Sequence, residues 1–310
     1  MENKIYDVAI IGGGMAGYSA GIYSARFGMS CIVLAKDRGG LIATTDNVEN
    51  WPGEKSISGA GLAKKLSDHL SEYHVPSEID EILEVSRAAD GIFHITGIEN
   101  KYLARSIILA TGTEHRKLSV PGEKEFLNRG VSYCAICDAA FFKNKVVAVI
   151  GGSDSSAIEA LMLAEHASKV YMIYRGEKLR AEPINLEKIK SNKKIELISK
   201  TNITKILGEK SVKKVVLDKP FNGSGELELS GIFVAVGHVA QSTLAKQLGV
   251  KLSESGEIIA NGYMHTSIPG VFAAGDVIDF KFKQAIVSSA QGSIAAFSAF
   301  EYVGQRAEKK

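Results

Sequence analysis

The chain has 310 residues, of which 45% are hydrophobic and 23% charged, and its formal net charge is +2. This composition is that of a globular protein long enough for two domains, each with its own core. The near-neutral charge gives no sign of nucleic acid or an anionic membrane as a partner, and no segment fits a signal peptide or a membrane span.

The first predicted unit is a strand, a glycine turn, a helix and a second strand. An apolar strand (residues 7–11) leads into a motif whose glycines are Gly12, Gly14 and Gly17, and another apolar strand follows at 30–35. In this context the first glycine makes the tight turn, the second lets the backbone approach a pyrophosphate, and the third lets the helix pack closely on the strand. The pyrophosphate then lies at the positive end of the helix dipole. The segment therefore predicts a dinucleotide site.

The acidic residue that usually ends the second strand and binds a ribose is absent from this unit. The strand ends at Ala35-Lys36, and Asp37 is the nearest carboxylate. Either Asp37 or backbone groups therefore hold the ribose. Further along, a strand at 106–110 enters the turn Thr111-Gly112, and we expect this turn and Gly40 to line the same site.

The segment Cys134-Ala-Ile-Cys137-Asp138 follows. Two thiols separated by two residues can close a small, readily reduced disulfide, and Asp138 can either move protons or cap a helix. The same spacing serves zinc sites, but tetrahedral zinc needs further ligands and the only other cysteine is Cys31. The pair lies between the first nucleotide pattern and a second one, described next, and in this context it predicts a redox disulfide and no metal site. Three cysteines and no secretory signal indicate a reducing cytoplasm, where CxxC pairs are usually catalytic, so we expect a cytoplasmic enzyme.

A second strand–turn–helix–strand pattern begins at 146–150. Its turn contains Gly151 and Gly152, but Ser153 and Ser156 stand where the second and third glycines are expected. The helix is predicted over 157–167 and the next strand over 169–174. That strand ends in Arg175 rather than an acidic residue, and Arg180 follows. Arginines at this position favour a 2′-phosphate over a 2′-hydroxyl, so the pattern predicts an altered NADPH site or the remnant of one.

The last predicted elements complete the first site. A strand at 269–274 ends in Gly275-Asp276, and an aspartate at the carboxyl end of a strand can accept hydrogen bonds from a polyol chain such as ribityl. Gln284-Ala285 then opens a long helix of small residues, predicted over 286–302. The amino-terminal end of such a helix stabilises negative charge on a reduced flavin.

Together these residues resemble the low-molecular-weight thioredoxin reductases along essentially the whole chain. The matching segments, which agree in order and spacing, are Gly12–Gly17, Val48–Gly53, Ala110–Gly112, Cys134–Asp138, Gly151–Ser156, Gly275-Asp276 and Gln284-Ala285.

The resemblance implies an α/β fold with two Rossmann-like three-layer nucleotide-binding domains, the second inserted into the first. Residues 1–113 and 241–310 would form the FAD domain, and residues 114–240 an NADPH-type domain that carries the CxxC pair. It also implies a homodimer and a thioredoxin-disulfide reductase, in which Cys137 faces the flavin, Cys134 attacks the disulfide of a thioredoxin-like protein, and Asp138 is the acid/base.

The altered second turn leaves the electron donor open. Members of this family with a complete NADPH site have a Gly-x-Gly-x-x-Ala loop and His-Arg-Arg-x-x-x-Arg, whereas this chain has Tyr174-Arg175-Gly176 and then Arg180. NADPH is the first hypothesis for the donor. The alternatives are a ferredoxin-dependent flavin thioredoxin reductase with a vestigial nicotinamide site, and an oxygen-dependent dithiol oxidase.

Overall fold

The structure is a computed structural model that describes residues 4–45 and 48–307, with side chains described up to residue 305. The strands are β1 (Ile5–Ile11), β2 (Cys31–Ala35), β3 (Ser77–Ile79), β4 (Ile82–Arg87), β5 (Phe93–Gly97), β6 (Lys101–Leu109), β7 (Thr113–His115), β8 (Val131–Ser132), β9 (Val146–Ile150), β10 (Lys169–Ile173), β11 (Ile195–Ile198), β12 (Ile203–Gly208), β13 (Val212–Phe221), β14 (Ser224–Glu228), β15 (Gly231–Val234), β16 (His238–Ala240) and β17 (Val271–Ala273). The helices are α1 (Met15–Arg26), α2 (Gly59–Glu72), α3 (Ala135–Asp138), α4 (Asp154–His166), α5 (Pro183–Ser191), α6 (Thr243–Gln247) and α7 (Ala285–Ala307). None of the helices within the described ranges is both long enough and apolar enough to cross a membrane.

The chain divides into two compact units. The first unit is formed by the chain up to Glu114 and again from Val239 onward, and the second unit is His115–His238. The short strands β7 and β16, at the two connections, pair with each other.

The first unit is built on a sheet with the strand order β3-β2-β1-β6-β5-β4, and β17 also pairs with β6. β1, β2, β6 and β17 are parallel, and β2 and the second half of β1 are apolar and buried throughout. Continuous apolar runs are typical of parallel strands, because both faces of the sheet are covered. The helices α1 and α7 pack against each other and against these central strands.

The second unit has three layers. Its parallel sheet has the order β11-β10-β9-β15-β8. Because successive side chains of a strand point to opposite faces, Val147 and Val149 of β9 pack in a cluster with α4 and α5. Ala148 and Ile150 pack in a separate cluster with the antiparallel sheet β12-β13-β14. Helices therefore cover one face of the parallel sheet, and a three-stranded meander covers the other.

These two units confirm the prediction of an α/β chain with two Rossmann-like three-layer domains, the second inserted into the first. The differences from the predicted elements lie at their ends. α4 begins at Asp154 rather than at 157, because Ser153 is the last extended residue and an acidic side chain in the first turn is favoured by the helix dipole. α7 continues to Ala307 rather than ending at 302.

Close packing of α7 on α1 depends on one glycine. A Cβ added at Gly292 would lie 2.1 Å from the carbonyl oxygen of Ala16, which is far inside van der Waals contact. Gly304, on the same helix, has no atom within 4 Å of an added Cβ. The two positions therefore make a matched pair for testing the contact between the helices.

We expect Gly292→Ala to lower the free energy of unfolding by about 1–3 kcal/mol, because the new methyl group must push the helices apart. Gly304→Ala should leave it unchanged or raise it by up to about 1 kcal/mol, because alanine is the better helix former. Urea unfolding followed by circular dichroism measures both. Equal effects of the two substitutions would contradict the packing argument.

Candidate nucleotide and disulfide sites

The glycine turn of the first unit is closed on one side and open on the other. Gly12 has a φ of +127°, and a Cβ added there would lie 2.0 Å from the carbonyl oxygen of Ala110. A Cβ at Gly17 would lie 1.8 Å from the carbonyl oxygen of Gly12. At Gly14 the nearest atom to an added Cβ is the Gly39 carbonyl oxygen, at 3.7 Å. Packing thus requires glycine at the first and third positions, while the second leaves the backbone open to a ligand.

The segment that follows β2 folds over this turn. The backbone N–H of Gly39 donates to the carbonyl oxygen of Gly13 at 2.8 Å. A Cβ at Gly40, which has a φ of +59°, would lie 3.3 Å from the Gly14 Cα. Asp37 lies near the start of this segment and is exposed. The segment therefore carries both predicted residues, Asp37 and Gly40, to the rim of the glycine turn.

The carboxyl end of β17 brings Gly275 and Asp276 to the first turn of α1. A Cβ at Gly275 would lie 3.0 Å from the Ala16 Cβ, and the Gly275 N–H donates to Gln291 Oε1 at 3.0 Å. Burial raises the pKa of Asp276, although Ser288 Oγ donates to its carboxylate at 3.1 Å. Gln291 Nε2 is buried and has no acceptor within the described part of the chain. A buried donor of this kind needs a partner, which a bound ligand can supply.

Two segments that are far apart in the sequence also meet here. Asn50 Nδ2 donates to Gln284 Oε1 at 3.1 Å. Trp51 and Ala285 pack in one small apolar cluster with Met15, the first residue of α1. The contacts bring the 48–53 loop and the start of α7 to the same end of α1.

The predicted flavin residues of the first unit therefore surround the amino-terminal end of α1. Thr111 Oγ1 donates to the carbonyl oxygen of Gln241 at 2.6 Å, and Gly112, with a φ of +64°, has no atom within 4 Å of an added Cβ. The set fits a dinucleotide such as FAD. It offers a tightly packed glycine turn whose backbone at Gly14 is open to the pyrophosphate, and it offers the partly buried Asp276 and the buried Gln291 for the rest of the molecule.

The second unit repeats the turn with serines in it. A Cβ at Gly151, which has a φ of +152°, would lie 2.2 Å from the carbonyl oxygen of Ala235. Ser156 is fully buried, and its hydroxyl donates to the carbonyl oxygen of Ser153 at 2.7 Å. Ser153 is extended and its side chain does not cap α4. The third-glycine position therefore tolerates Ser156, because the backbone of the turn accepts a hydrogen bond from its hydroxyl. The Ser153 side chain leaves the first N–H groups of α4 unoccupied.

The segment after β10 lies against this second turn. The Arg180 N–H donates to the carbonyl oxygen of Gly152 at 2.8 Å. Asp154 Oδ1 accepts from the Glu182 N–H at 2.7 Å, which ties the same segment to the start of α4. Arg175 and Arg180 are exposed, and neither forms an ion pair within the described ranges. Both guanidinium groups are thus available to an anion near the end of β10.

Cys134 and Cys137 form a disulfide across α3, with their Cα atoms 5.3 Å apart. Cys137 is exposed and Cys134 is half-buried, and Cys134 Sγ accepts from the Cys137 N–H at 3.2 Å. Ala135 and Ala139 are buried in the cluster that includes α4, so small side chains seat α3 on that helix. Asp138, the last residue of α3, is half-buried and makes no capping bond. A small ring exposed in this way can exchange with other thiols.

Sequence reasoning missed Glu159, on the helix that follows the second turn. Its Oε2 is buried and finds no hydrogen-bond partner among the described residues. Burial raises the pKa of this carboxyl to about 7. A single acidic residue in a helix carries no sequence signal, because its burial depends on the elements that pack around it. Ser288 and Gln291 were missed for the same reason.

Comparisons with known proteins cover nearly the whole chain. Residues 6–292 match the family described as pyridine nucleotide-disulphide oxidoreductase. A thioredoxin reductase of Bacillus subtilis is 38% identical over 310 residues, which is 99% of this chain and 98% of that relative. The crystal structure of Lactococcus lactis thioredoxin reductase matches with a TM-score of 0.93 and 37% identity, over 97% of this chain and 99% of that one. A ferredoxin-flavin thioredoxin reductase from Clostridium acetobutylicum matches with a TM-score of 0.52 and 32% identity, over 98% and 99%. These matches confirm the resemblance inferred from the motifs.

The raised pKa of Glu159 predicts a pH dependence of stability. Burial favours the protonated form of the Glu159 carboxyl. The contribution of this form to the free energy of unfolding is present below the ordinary pKa of 4.5 and is lost as the pH rises through about 7. We expect Glu159→Gln to match the wild type at pH 4 and to exceed its free energy of unfolding by up to about 3 kcal/mol at pH 8. Urea unfolding at a series of pH values measures this difference. Glu165→Gln, at an exposed position of the same helix, is the control and should change nothing.

Proposed function

We propose that this chain passes electrons through FAD and the Cys134–Cys137 disulfide to thioredoxin or a thioredoxin-like protein. The chain belongs to the pyridine nucleotide-disulphide oxidoreductase family and is a thioredoxin reductase. The observation that carries the proposal is an exposed, closed CxxC disulfide in a chain with two glycine-turn units. A disulfide of this kind in such a chain is used as an electron relay.

The first unit binds FAD. The backbone of the Gly12–Gly17 turn holds the pyrophosphate, Asp276 accepts hydrogen bonds from the sugar chain, and Gln291 Nε2 donates to an acceptor of the cofactor. Asp37, Gly40, Thr111, Gly112, Gly275, Gln284 and Ala285 complete the lining. FAD, when bound, supplies two-electron chemistry between a donor and a disulfide.

The two cysteines of the reduced protein then exchange with the substrate disulfide. The Cys134 thiolate attacks one substrate sulfur, which forms a mixed disulfide and releases one substrate thiolate. The Cys137 thiolate next attacks Cys134 Sγ, which re-forms the Cys134–Cys137 disulfide and releases the second substrate thiolate. The released thiolates take up protons, and Asp138 is the acid/base that moves protons beside Cys137.

NADPH is the proposed electron donor. The Gly151-Gly152 backbone and the uncapped start of α4 receive its pyrophosphate, beside Ser153 and Ser156, and the exposed Arg175 and Arg180 meet a 2′-phosphate. Reduced ferredoxin is the alternative donor, because the glycine turn is altered and the chain is similar to a reductase named for ferredoxin. In a dithiol oxidase the electrons would instead come from thiols and pass to oxygen.

The donor and the disulfide can be tested together. We expect NADPH to bleach the flavin absorbance faster than NADH or reduced ferredoxin in anaerobic stopped-flow mixing, and thioredoxin turnover to follow. Cys134→Ser should retain flavin bleaching but lower thioredoxin turnover to below about 1% of wild type, because the attacking sulfur is missing.

Cys31→Ala is the control, because burial raises the pKa of the Cys31 thiol to about 11 and keeps it unreactive. It should leave both rates unchanged. Full turnover by Cys134→Ser would overturn the disulfide assignment. Bleaching by ferredoxin alone would favour the ferredoxin-dependent alternative, and oxygen consumption with dithiols but no thioredoxin turnover would favour the oxidase.

The docking site for thioredoxin is proposed to lie beside the disulfide. Phe141 follows Cys137 by four residues, its side chain is 72% exposed, and it lines a cavity of about 340 Å³ together with Lys145 and Lys213. The second unit has 20 Lys and Arg residues against 14 Asp and Glu, whereas the first unit has 17 against 21. An apolar contact with a basic rim suits a partner whose disulfide is flanked by an apolar side chain and by acidic residues.

We expect Phe141→Ala to raise KM for thioredoxin about tenfold, because an exposed aromatic side chain is a typical binding anchor. The rate of flavin reduction by the donor should not change. Tyr263→Ala removes an aromatic side chain that is 67% exposed in the first unit and should leave KM unchanged. An unaltered KM in the Phe141 variant would exclude this docking site.

A homodimer in the cytosol completes the proposal. From Ala285 to Phe300 the helix α7 has no charged residue, yet Ile294, Phe297 and Phe300 are exposed, and the last two contact the Phe27 ring. Such an apolar face is typical of a surface that a second copy covers. Sedimentation equilibrium of the wild type and Phe297→Glu tests it, with a monomeric wild type as the contradicting result.

A further inference from the structure

A buried carboxylate lies close to the redox disulfide in the sequence. Glu123 is only 5% exposed, and its two oxygens accept three hydrogen bonds. The backbone N–H groups of Leu118 and Ser119 donate to it at 2.7 Å and 2.6 Å, and Tyr133 Oη donates at 2.5 Å. No basic side chain pairs with Glu123 within the described ranges, so backbone and phenol groups alone stabilise the buried oxygens.

The backbone around Glu123 is shaped to hold it. Ser119 has a φ of +60°, a conformation that a serine adopts only when its surroundings compensate for the cost. It lets the consecutive N–H groups of residues 118 and 119 converge on one anion, as in an anion-binding nest. The 118–119 segment follows β7, so the carboxylate joins the start of the second unit to Tyr133.

Tyr133 immediately precedes Cys134, and the residues on both sides of it are also held. Ser132, which is buried, accepts from the Cys134 N–H at 3.0 Å and donates to the Cys134 carbonyl oxygen at 3.2 Å. The Cys137 N–H donates to Cys134 Sγ. The Tyr133 ring packs partly buried in the apolar cluster of the second unit. The backbone of the attacking cysteine is therefore fixed by Ser132 directly and by Glu123 through Tyr133.

We propose that Glu123 is a positioning residue for the redox disulfide, acting through the Tyr133 hydroxyl to keep Cys134 in the place where it pairs with Cys137 and attacks the substrate disulfide. This inference rests on the proposed reductase function only for the attack on substrate. The effect on the disulfide itself does not depend on that function, because the equilibrium between the dithiol and the disulfide can be measured without donor or thioredoxin.

The clamp (Glu123, Tyr133 and the two N–H groups of residues 118 and 119) acts on the reduced form. When the disulfide is reduced, Cys134 is no longer tethered to Cys137, and only the clamp and Ser132 hold its backbone. Without the clamp the dithiol gains conformational freedom, so ring closure becomes less favourable. The disulfide of a variant without the clamp is therefore easier to reduce, and its thiolate is less well placed for attack.

Tyr133→Phe tests the proposal with the smallest change, because it keeps the ring in its cluster and removes only the hydroxyl. The expected result is a tenfold smaller equilibrium constant for disulfide formation against a glutathione redox buffer, which is about 30 mV for a two-electron couple. Thiol alkylation and mass spectrometry measure this equilibrium without donor or thioredoxin. We also expect kcat/KM for thioredoxin to fall about tenfold.

Tyr102→Phe is a matched control in the first unit. Tyr102 Oη donates to Asp80, a buried carboxylate that also accepts from the N–H groups of two consecutive residues, Glu99 and Asn100. Removing the Tyr102 hydroxyl should lower Tm about as much as removing the Tyr133 hydroxyl does. It should leave the disulfide equilibrium and kcat/KM unchanged. Equal changes in both variants would show that a general loss of stability, rather than positioning, explains the data.

Glu123→Gln is the second variant. It should shift the disulfide equilibrium in the same direction as Tyr133→Phe, and the double variant should shift it no further than the larger single change. A wild-type disulfide equilibrium in Tyr133→Phe would overturn the proposal. If Tyr133→Phe shifts the disulfide equilibrium but the wild-type protein does not reduce thioredoxin, the clamp is supported and the reductase function is rejected.

Discussion

At each glycine turn the backbone of one segment approaches the backbone of another closely, and this contact sets where the neighbouring strands and helix can lie. In each unit a parallel strand ends, turns within three residues and starts a helix, while the end of another strand passes against the turn. The carbonyl oxygens of Ala110 and Ala235 occupy the space that a Cβ at Gly12 or Gly151 would need. Because this space is filled by backbone, no side chain can be accommodated by rotating a neighbour. Within each unit, the amino terminus of the helix thereby lies at the carboxyl end of the strand before it.

The two turns differ at the second position, which is open in the first unit, and at the third position, which is packed. The second position is Gly14 in the first unit and Ser153 in the second. At the third position of the first unit, Gly17 is in direct contact with the turn, whereas the second unit has Ser156 with its hydroxyl bonded to the turn backbone. Ser156 thus keeps the strand–helix packing of the second unit although it replaces the third glycine, while Ser153 changes the position that is open in the first unit. Under the proposed function this change concerns the NADPH site, and the packing of Ala135 and Ala139 on α4 is retained.

Buried polar groups carry much of the inferred chemistry of both units. Gln291 in the first unit and Glu123 in the second are buried, and Asp276 and Glu159 are partly buried, so all four lose contact with water at some energetic cost. They differ in how that cost is met. Glu123 is satisfied by three donors, whereas Gln291 Nε2 and Glu159 Oε2 find no partner within the described residues. A fully satisfied group fixes the fold around it, while an unsatisfied one is a point where a ligand or a proton changes the energy.

The two strand–glycine–helix units, the redox cysteine pair and the family are predicted from the sequence alone, because each of these depends on residues that are close together in the chain. Local spacing sets the turn at Gly12–Gly17, the strand at 146–150 and the reach of Cys134 to Cys137. Which distant residues complete the sites becomes known only from the packing of the folded chain. The bond from Asn50 to Gln284 and the bond from Tyr133 to Glu123 join segments whose encounter depends on how the elements pack. Burial, which raises the pKa of Glu159 and makes the Ser156 hydroxyl bond to its own turn, likewise exists only once the layers have closed over those side chains.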